Sequence, residues 1–364
     1  MRTMTKVASL AAVLLAAAAL NAAELKVSAK GTPAQLLVAL PDSCNTPDGM
    51  SLQPDGSIIL SVPNFNDEKS SPRLMKISAD NKATLFYEFP TPYPGFEAPV
   101  NRIAPMGIAR APSGDHYLAD MQYMKDKNQK SRLWRLVIKG GKVDTMVLVA
   151  SGFNVANGIA IHDGHCYITE SCLNEGFVPT LKSAVMRFAL DEANVKLKTP
   201  LADDPHIIAT FQSRKKDWGF GADGITFDSK GNLFIGLFGE GELYKLTFDK
   251  SGKVVSNKLF AKAPHLINCD GMSCDLRTDK FYVADSAANA IQVVDPHGKV
   301  TTLSQNPDIQ DKNTGLLDQP CEAMVRGDTI VVSNMDWPFP GFVNTKWQQP
   351  STLSVIPLKA PAKK

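Results

Sequence analysis

One phrase recurs six times along this chain, and that recurrence constrains the fold more than any other feature. The copies are TPDGMSLQPDGSIILSV (46–62), APMGIARAPSGDHYLAD (104–120), ANGIAIHDGHCYITES (156–171), ADGITFDSKGNLFIGL (222–237), CDGMSCDLRTDKFYVAD (269–285) and CEAMVRGDTIVVSN (321–334). Each holds a short strand signal, a tight polar turn and a more apolar strand. Their starts fall roughly 45 to 65 residues apart, the spacing of propeller blades. A four-stranded sheet with two apolar faces cannot bury both alone, so such sheets stack radially about a channel. The expectation is an all-β fold, a six-bladed β-propeller with blades of four antiparallel strands. A β-sandwich is the alternative, but it has no need of a sixfold phrase.

Six blades occupy nearly all of residues 24–359, which read as a single propeller domain. Two apolar segments stand outside the copies, QLLVAL (35–40) and SVIPL (354–358). Closing the ring removes its sheet edges, so the first is predicted to complete the last blade beside the second. Residues 1–23 read as a secretory signal, with Arg2 and Lys6 before an alanine-rich apolar run and small residues at Ala22 and Ala23. The mature protein is therefore expected in the periplasm or secreted, with no membrane attachment after cleavage. Residues 360–364 read as a disordered tail.

Lys and Arg number 39 against 37 Asp and Glu, with no basic stripe, so nucleic acid is not an expected partner. Six cysteines, Cys44, Cys166, Cys172, Cys269, Cys274 and Cys321, would meet an oxidising compartment. A Cys44–Cys321 bridge would staple the first copy to the last, and Cys166–Cys172 would close a local loop. Buried thiols are the other reading. No Gly-x-Ser-x-Gly elbow is present to support a serine hydrolase.

The residue before the recurring glycine is the chemically informative one. It is Asp48, Met106, Asn157, Asp223, Asp270 and, where Ala323 replaces glycine, Glu322. The first strand of each propeller blade lines the channel, so these side chains should converge on the axis. Five of the six carry a side-chain oxygen and four are acids. Clustered acids repel unless something compensates, and a hard divalent cation does so with oxygen ligands. The competing reading is that Asp-Gly and Asn-Gly are simply turn residues. Loops at 63–72, 86–105, 121–130, 172–183, 200–220 and 335–350 carry aromatic residues, including Trp218 and Trp337. These would wall a pocket at one mouth of the channel, or cover blade edges.

The text from Ala156 to Leu246 resembles the six-bladed gluconolactonase-like family, which includes senescence marker protein and relatives of calcium-dependent phosphotriesterases. ANGIAIHDGHCYITES resembles the family's Asn-Gly blade and ADGITFDSKGNLFIGLFGEGELYKL its Asp-Gly blade; SGDHYLADMQ with SRLWRL resembles the blade before. The resemblance implies one divalent cation, Ca²⁺ first and Zn²⁺, Mn²⁺ or Mg²⁺ as alternatives, held by a Glu, two Asn and an Asp. Carried over by motif, these are Glu322, Asn157 and Asp223, with Met106 standing where the second Asn belongs. Water, Asp48 or Asp270 would fill that place. A second register puts Asp48 in the Glu place, Asn157 and Asp223 in the Asn places and Asp270 as the Asp.

The implied activity is metal-dependent hydrolysis of a small lactone or ester, a sugar lactone foremost. Asp223 would serve as ligand and as base, or alternatively as nucleophile as in the phosphotriesterase relatives, and Asp270 would support it. Arg102, Met106, Trp218 and Trp337 are the expected substrate contacts. A phosphotriesterase-like hydrolase is one alternative. The other is a non-catalytic secreted propeller that binds a ligand or a protein.

Overall fold

The structure, a computed structural model, describes residues 25–173, 181–214 and 220–358. Their strands form six sheets. The innermost strands, in blade order, are Met50–Leu52, Pro105–Arg110, Ala156–His162, Ala222–Phe227, Met272–Asp275 and Pro320–Arg326. Each touches the next, and the sixth touches the first, so the ring is closed. This is the six-bladed propeller that the sixfold phrase predicts, and each phrase is the first hairpin of one blade.

The closure is also as predicted. Gln35–Ala39 pairs antiparallel with Thr352–Pro357, in the register Gln35↔Val355, and forms the outer strand of blade 6. Two sheets carry a fifth strand that the sequence pattern did not reveal. Lys30–Gly31 pairs with Val300–Gln305 of blade 5, and Val195–Lys196 lies parallel to Lys142–Phe153 of blade 2. Both are two residues long, too short for apolar alternation to mark.

Six apolar layers fill the spaces between neighbouring blades. Tyr167, Val185 and Phe211 of blade 3 meet Ile225, Phe227 and Ile235 of blade 4, for example. The other five interfaces are built likewise. Because a blade packs on both faces, its second strand reads as a largely apolar run rather than an alternating one, as in Leu233–Leu237, which is buried throughout.

The expected disulfides are not formed. Cys321 is a free thiol whose Sγ donates to Pro47 O at 3.1 Å, and Cys44 and Cys166 are free thiols inside the core. They behave as small apolar residues. The segments read as signal (1–23) and tail (360–364) lie outside the described residues. Among the described residues no helix is long and apolar enough to cross a membrane.

Candidate functional site

In four of the six blades the ring position sits at a β-bulge, and this gives the repeated phrase its meaning. In blades 2, 3 and 4 the pairing skips from Pro105, Ala156 and Ala222 to Ile108, Ile159 and Ile225, while the partner strand advances by only two residues. The extra residue breaks the in-out alternation and re-aims the side chain before the glycine. Glycine follows because adjacent inner strands nearly touch. A Cβ on Gly49 would lie 2.7 Å from Met106 O, and one on Gly271 would lie 2.6 Å from Cys321 O. Cβ atoms on Gly107, Gly158 and Gly224 would overlap the carbonyls of Asn157, Asp223 and Asp270. The Asp-Gly and Asn-Gly pairs are therefore close-approach sites rather than turns.

Hydroxyls of the second strands stitch one blade to the next at the same level. Ser61 Oγ donates to Met106 O at 2.6 Å, and Thr169 Oγ1 to Asp223 O at 2.9 Å. Ser333 Oγ donates to Asp48 O at 2.7 Å, which joins blade 6 to blade 1.

Asp48, Asn157, Asp223, Asp270 and Glu322 all line one axial cavity of about 410 Å³. Asp48 and Asp223 are 6% and 5% exposed; Asn157, Asp270 and Glu322 are half-buried. Asn157 Nδ2 donates to Asp223 Oδ2 at 2.8 Å, and Ser286 Oγ to Asp270 Oδ2 at 2.8 Å. Burial, then the charges of Asp270, Asp48 and Glu322, push the Asp223 carboxyl well above the usual carboxylate range. Burial and Asp48 do the same to Asp270, and burial, Asp48 and Asp270 to Glu322. Burial raises Asp48 to about 7, against hydrogen bonds from Cys321 and the Gly49 N–H.

Arg110, toward the far end, is the one basic side chain among the described residues of the cavity wall. The acids thus face one another without a cationic side chain between them. Their oxygens and the Asn157 amide are a donor set for a hard cation. The neighbouring thiols do not join it, since burial pushes Cys269 and Cys321 well above the ordinary thiol range and keeps them protonated. Among the described residues, no three His, Cys, Asp or Glu side chains are gathered closely enough to form a metal cluster by themselves. An ion here would rely on the amide and on water as well as carboxylates.

The other expected contacts fall differently. Met106 is buried, and its side chain packs with Cys321, Met335 and Val155 in the apolar layer that reaches toward Trp337. Arg102 is engaged away from the cavity, donating to Ser70 O at 2.7 Å and to Glu68 O at 3.3 Å. Trp218 lies outside the described residues. Trp337 belongs to a chain of rings on the long-loop face, running Phe65, Trp337, Phe339, Phe342, Phe238, Phe220 and Tyr123, with successive centroids 4.9–6.3 Å apart. This aromatic collar spans loops of blades 1, 2, 4 and 6, and none of its rings is among the residues that line the axial cavity.

A second set of oxygens repeats along the sequence, outside the sixfold ring position. The second strand of five blades ends at or near an acid or amide: Asn64, Asp120, Glu170, Asp285 and Asn334. Each is buried and accepts a backbone N–H from the segment leading into its own inner strand, from Asn45, Ala104, Val155, Ile267 and Asp318 respectively. These residues hold the loops that deliver the ring.

The fold is that of the six-bladed propellers of gluconolactonase and regucalcin type. Regucalcin of Agrobacterium tumefaciens, a calcium-binding protein, superposes with a TM-score of 0.57 at 13% identity over 91% of this chain and 95% of its own. A gluconolactonase of Xanthomonas campestris gives 0.55 at 13% identity, over 93% and 99%. The PQQ-bound aldose sugar dehydrogenase of Streptomyces coelicolor gives 0.52 at 13% identity, over 91% and 99%. The scaffold thus serves hydrolytic and redox enzymes alike. No family model and no curated protein matches the sequence.

Proposed function

We propose that this propeller is a metal-dependent hydrolase of small lactones or esters, acting at the axial ring. The observation that carries the reading is the convergence of Asp48, Asp223, Asp270 and Glu322 on one cavity with no basic side chain among them. A divalent cation, Ca²⁺ by the hardness of the donors, would be held by Glu322, Asp223, Asn157 and Asp48. Such an ion supplies Lewis-acid stabilisation of an oxyanion.

The chain's own groups supply the proton chemistry. Asp223, ionised when the cation is bound, would take a proton from the attacking water and return it to the leaving oxygen. Asp270, anchored by Ser286, lies near enough that its charge, when ionised with the cation bound, would raise the basicity of Asp223. Asn157 fixes the orientation of the Asp223 carboxylate. The leader at 1–23 supports a periplasmic or secreted setting.

The test is turnover of a panel of sugar lactones, aliphatic lactones, aryl esters and phosphotriesters, before and after chelation. Hydrolysis lost on chelation, restored by calcium and lowered at least about 100-fold by Asp223→Asn is expected. Equal turnover in the chelated protein, or in Asp223→Asn, would overturn the reading. The ligand-binding alternative draws on Met106, which puts an apolar side chain where a ring oxygen is expected. Binding without turnover across the whole panel would favour it.

A further inference from the structure

A separate group of buried oxygens lies off the axis, where two loops of blade 6 meet. One is the segment 306–319 that leads from blade 5 into blade 6, and the other is 336–350. Asp318 and Asp336 are 1% and 3% exposed. Their backbones are joined by Asp336 N donating to Asp318 O at 3.3 Å. Asp336 Oδ1 accepts from Asn344 Nδ2 at 3.0 Å and its Oδ2 from Gln348 N at 2.7 Å. Asp318 Oδ2 accepts a 3.2 Å bond from Asn313 Nδ2.

Two oxygens at this loop junction have no partner. Asp318 Oδ1 and Gln348 Oε1 are both buried and accept no hydrogen bond. A buried acceptor left unsatisfied is strongly unfavourable, and more so on a carboxylate. Burial raises both carboxyls, Asp318 to about 9 and Asp336 to about 6; the charge of Asp336 adds to the rise of Asp318, and that of Asp308 to both. The Gln348 amide is placed beside the acids by its own backbone, while its Nε2 is turned away to Ile309 O. Its Oε1 is left without a partner.

We propose that Asp318, Asp336 and Gln348 hold a second divalent cation, calcium by the chemistry of the donors, which pins the 336–350 loop to the 306–319 segment. Two carboxylates match the charge of one such ion, and the orphan carboxylate and amide oxygens are the hard ligands it takes. The 336–350 loop carries Trp337, Phe339 and Phe342 of the aromatic collar, so the ion would order one side of that collar. The site shares no residue with the axial ring.

The experiment is thermal unfolding of the full mature chain in calcium chloride and in EDTA, for the wild type, Asp223→Ala, Asp318→Asn and Gln348→Ala. Asp223→Ala should retain a calcium-dependent rise in Tm of about 5 °C, because its axial ligand is lost but the loop site is intact. Asp318→Asn should lose that rise. Gln348→Ala keeps both acids, and should need at least about tenfold more calcium for half the shift. Two results would overturn the proposal. One is a Tm in Asp223→Ala that ignores calcium, which assigns all calcium to the axis. The other is a calcium response of normal size and affinity in Gln348→Ala and, where it folds, in Asp318→Asn, which means that the two acids share a proton instead.

Discussion

Asn157 Nδ2 donates a 2.8 Å hydrogen bond to Asp223 Oδ2 from one inner strand to the next. The bond uses the nitrogen of the amide on its neighbour and leaves the amide oxygen for the axis. It also explains why an amide, not a fifth acid, stands at this point of the ring. Replacing the amide by a carboxylate turns a donor into a like charge.

The first prediction follows from that pair. Asn157→Asp should destabilise the chelated protein by about 2 kcal/mol, since a hydrogen bond is lost and a buried repulsion gained. Calcium should recover most of the loss. Asn157→Leu should lose the bond without gaining any added response to calcium. Denaturant melts with and without EDTA measure both.

Stability of the chelated protein should fall as pH rises through neutrality. Asp48 is raised to about 7 by burial, whereas an unfolded aspartate titrates near about 4. Below that lower value both states hold the proton and its contribution is fully present. Above it the unfolded chain releases the proton while the folded chain keeps it, so stability declines until about 7. Tm measured from pH 4 to 8 in EDTA should therefore slope downward, and Asp48→Asn should flatten the slope.

The glycines of the ring are sterically required. Gly224→Ala places a methyl against Asp270 O and should cost about 3 kcal/mol. Ala323→Gly, at the equivalent place of blade 6, should cost only about 1 kcal/mol. A reversal of that order in urea melts would contradict the close-approach account.

Glu170 tests the second set of oxygens. Its carboxylate accepts the N–H groups of Asn154 and Val155 at 2.8 Å each and of Cys172 at 3.0 Å. Glu170→Ala leaves buried donors unpaired and should destabilise by about 3 kcal/mol. Because Glu170 holds the segment leading to Asn157, calcium affinity should drop as well. Calcium affinity equal to the wild type's would confine Glu170 to a purely local role.

The fold was legible because each blade repeats one local instruction, and sixfold repetition leaves few architectures. The ring was legible for the same reason, as Asp48, Asn157, Asp223, Asp270 and Glu322 occupy one phrase position and reach one cavity. What sequence could not supply is direction and distance. Arg102 looked available, yet its guanidinium is taken by the Ser70 and Glu68 carbonyls, contacts made by a loop 32 and 34 residues away. Met106 occupies the right position, but its side chain turns into an apolar layer. Cys44 and Cys321 lie in neighbouring blades as expected, and still do not bond, because Cys321 faces Pro47 O. The acids of Asp120, Glu170 and Asp285 repeat as plainly as the ring does. They differ in pointing to backbone N–H groups, which composition does not reveal.

Calcium titration by calorimetry, on chelator-stripped wild type and Asp223→Ala, tests the central claim most directly. The axial ring predicts that the variant binds one equivalent fewer than the wild type while remaining folded. Identical isotherms for the two proteins, or no divalent binding in the folded wild type, would contradict it.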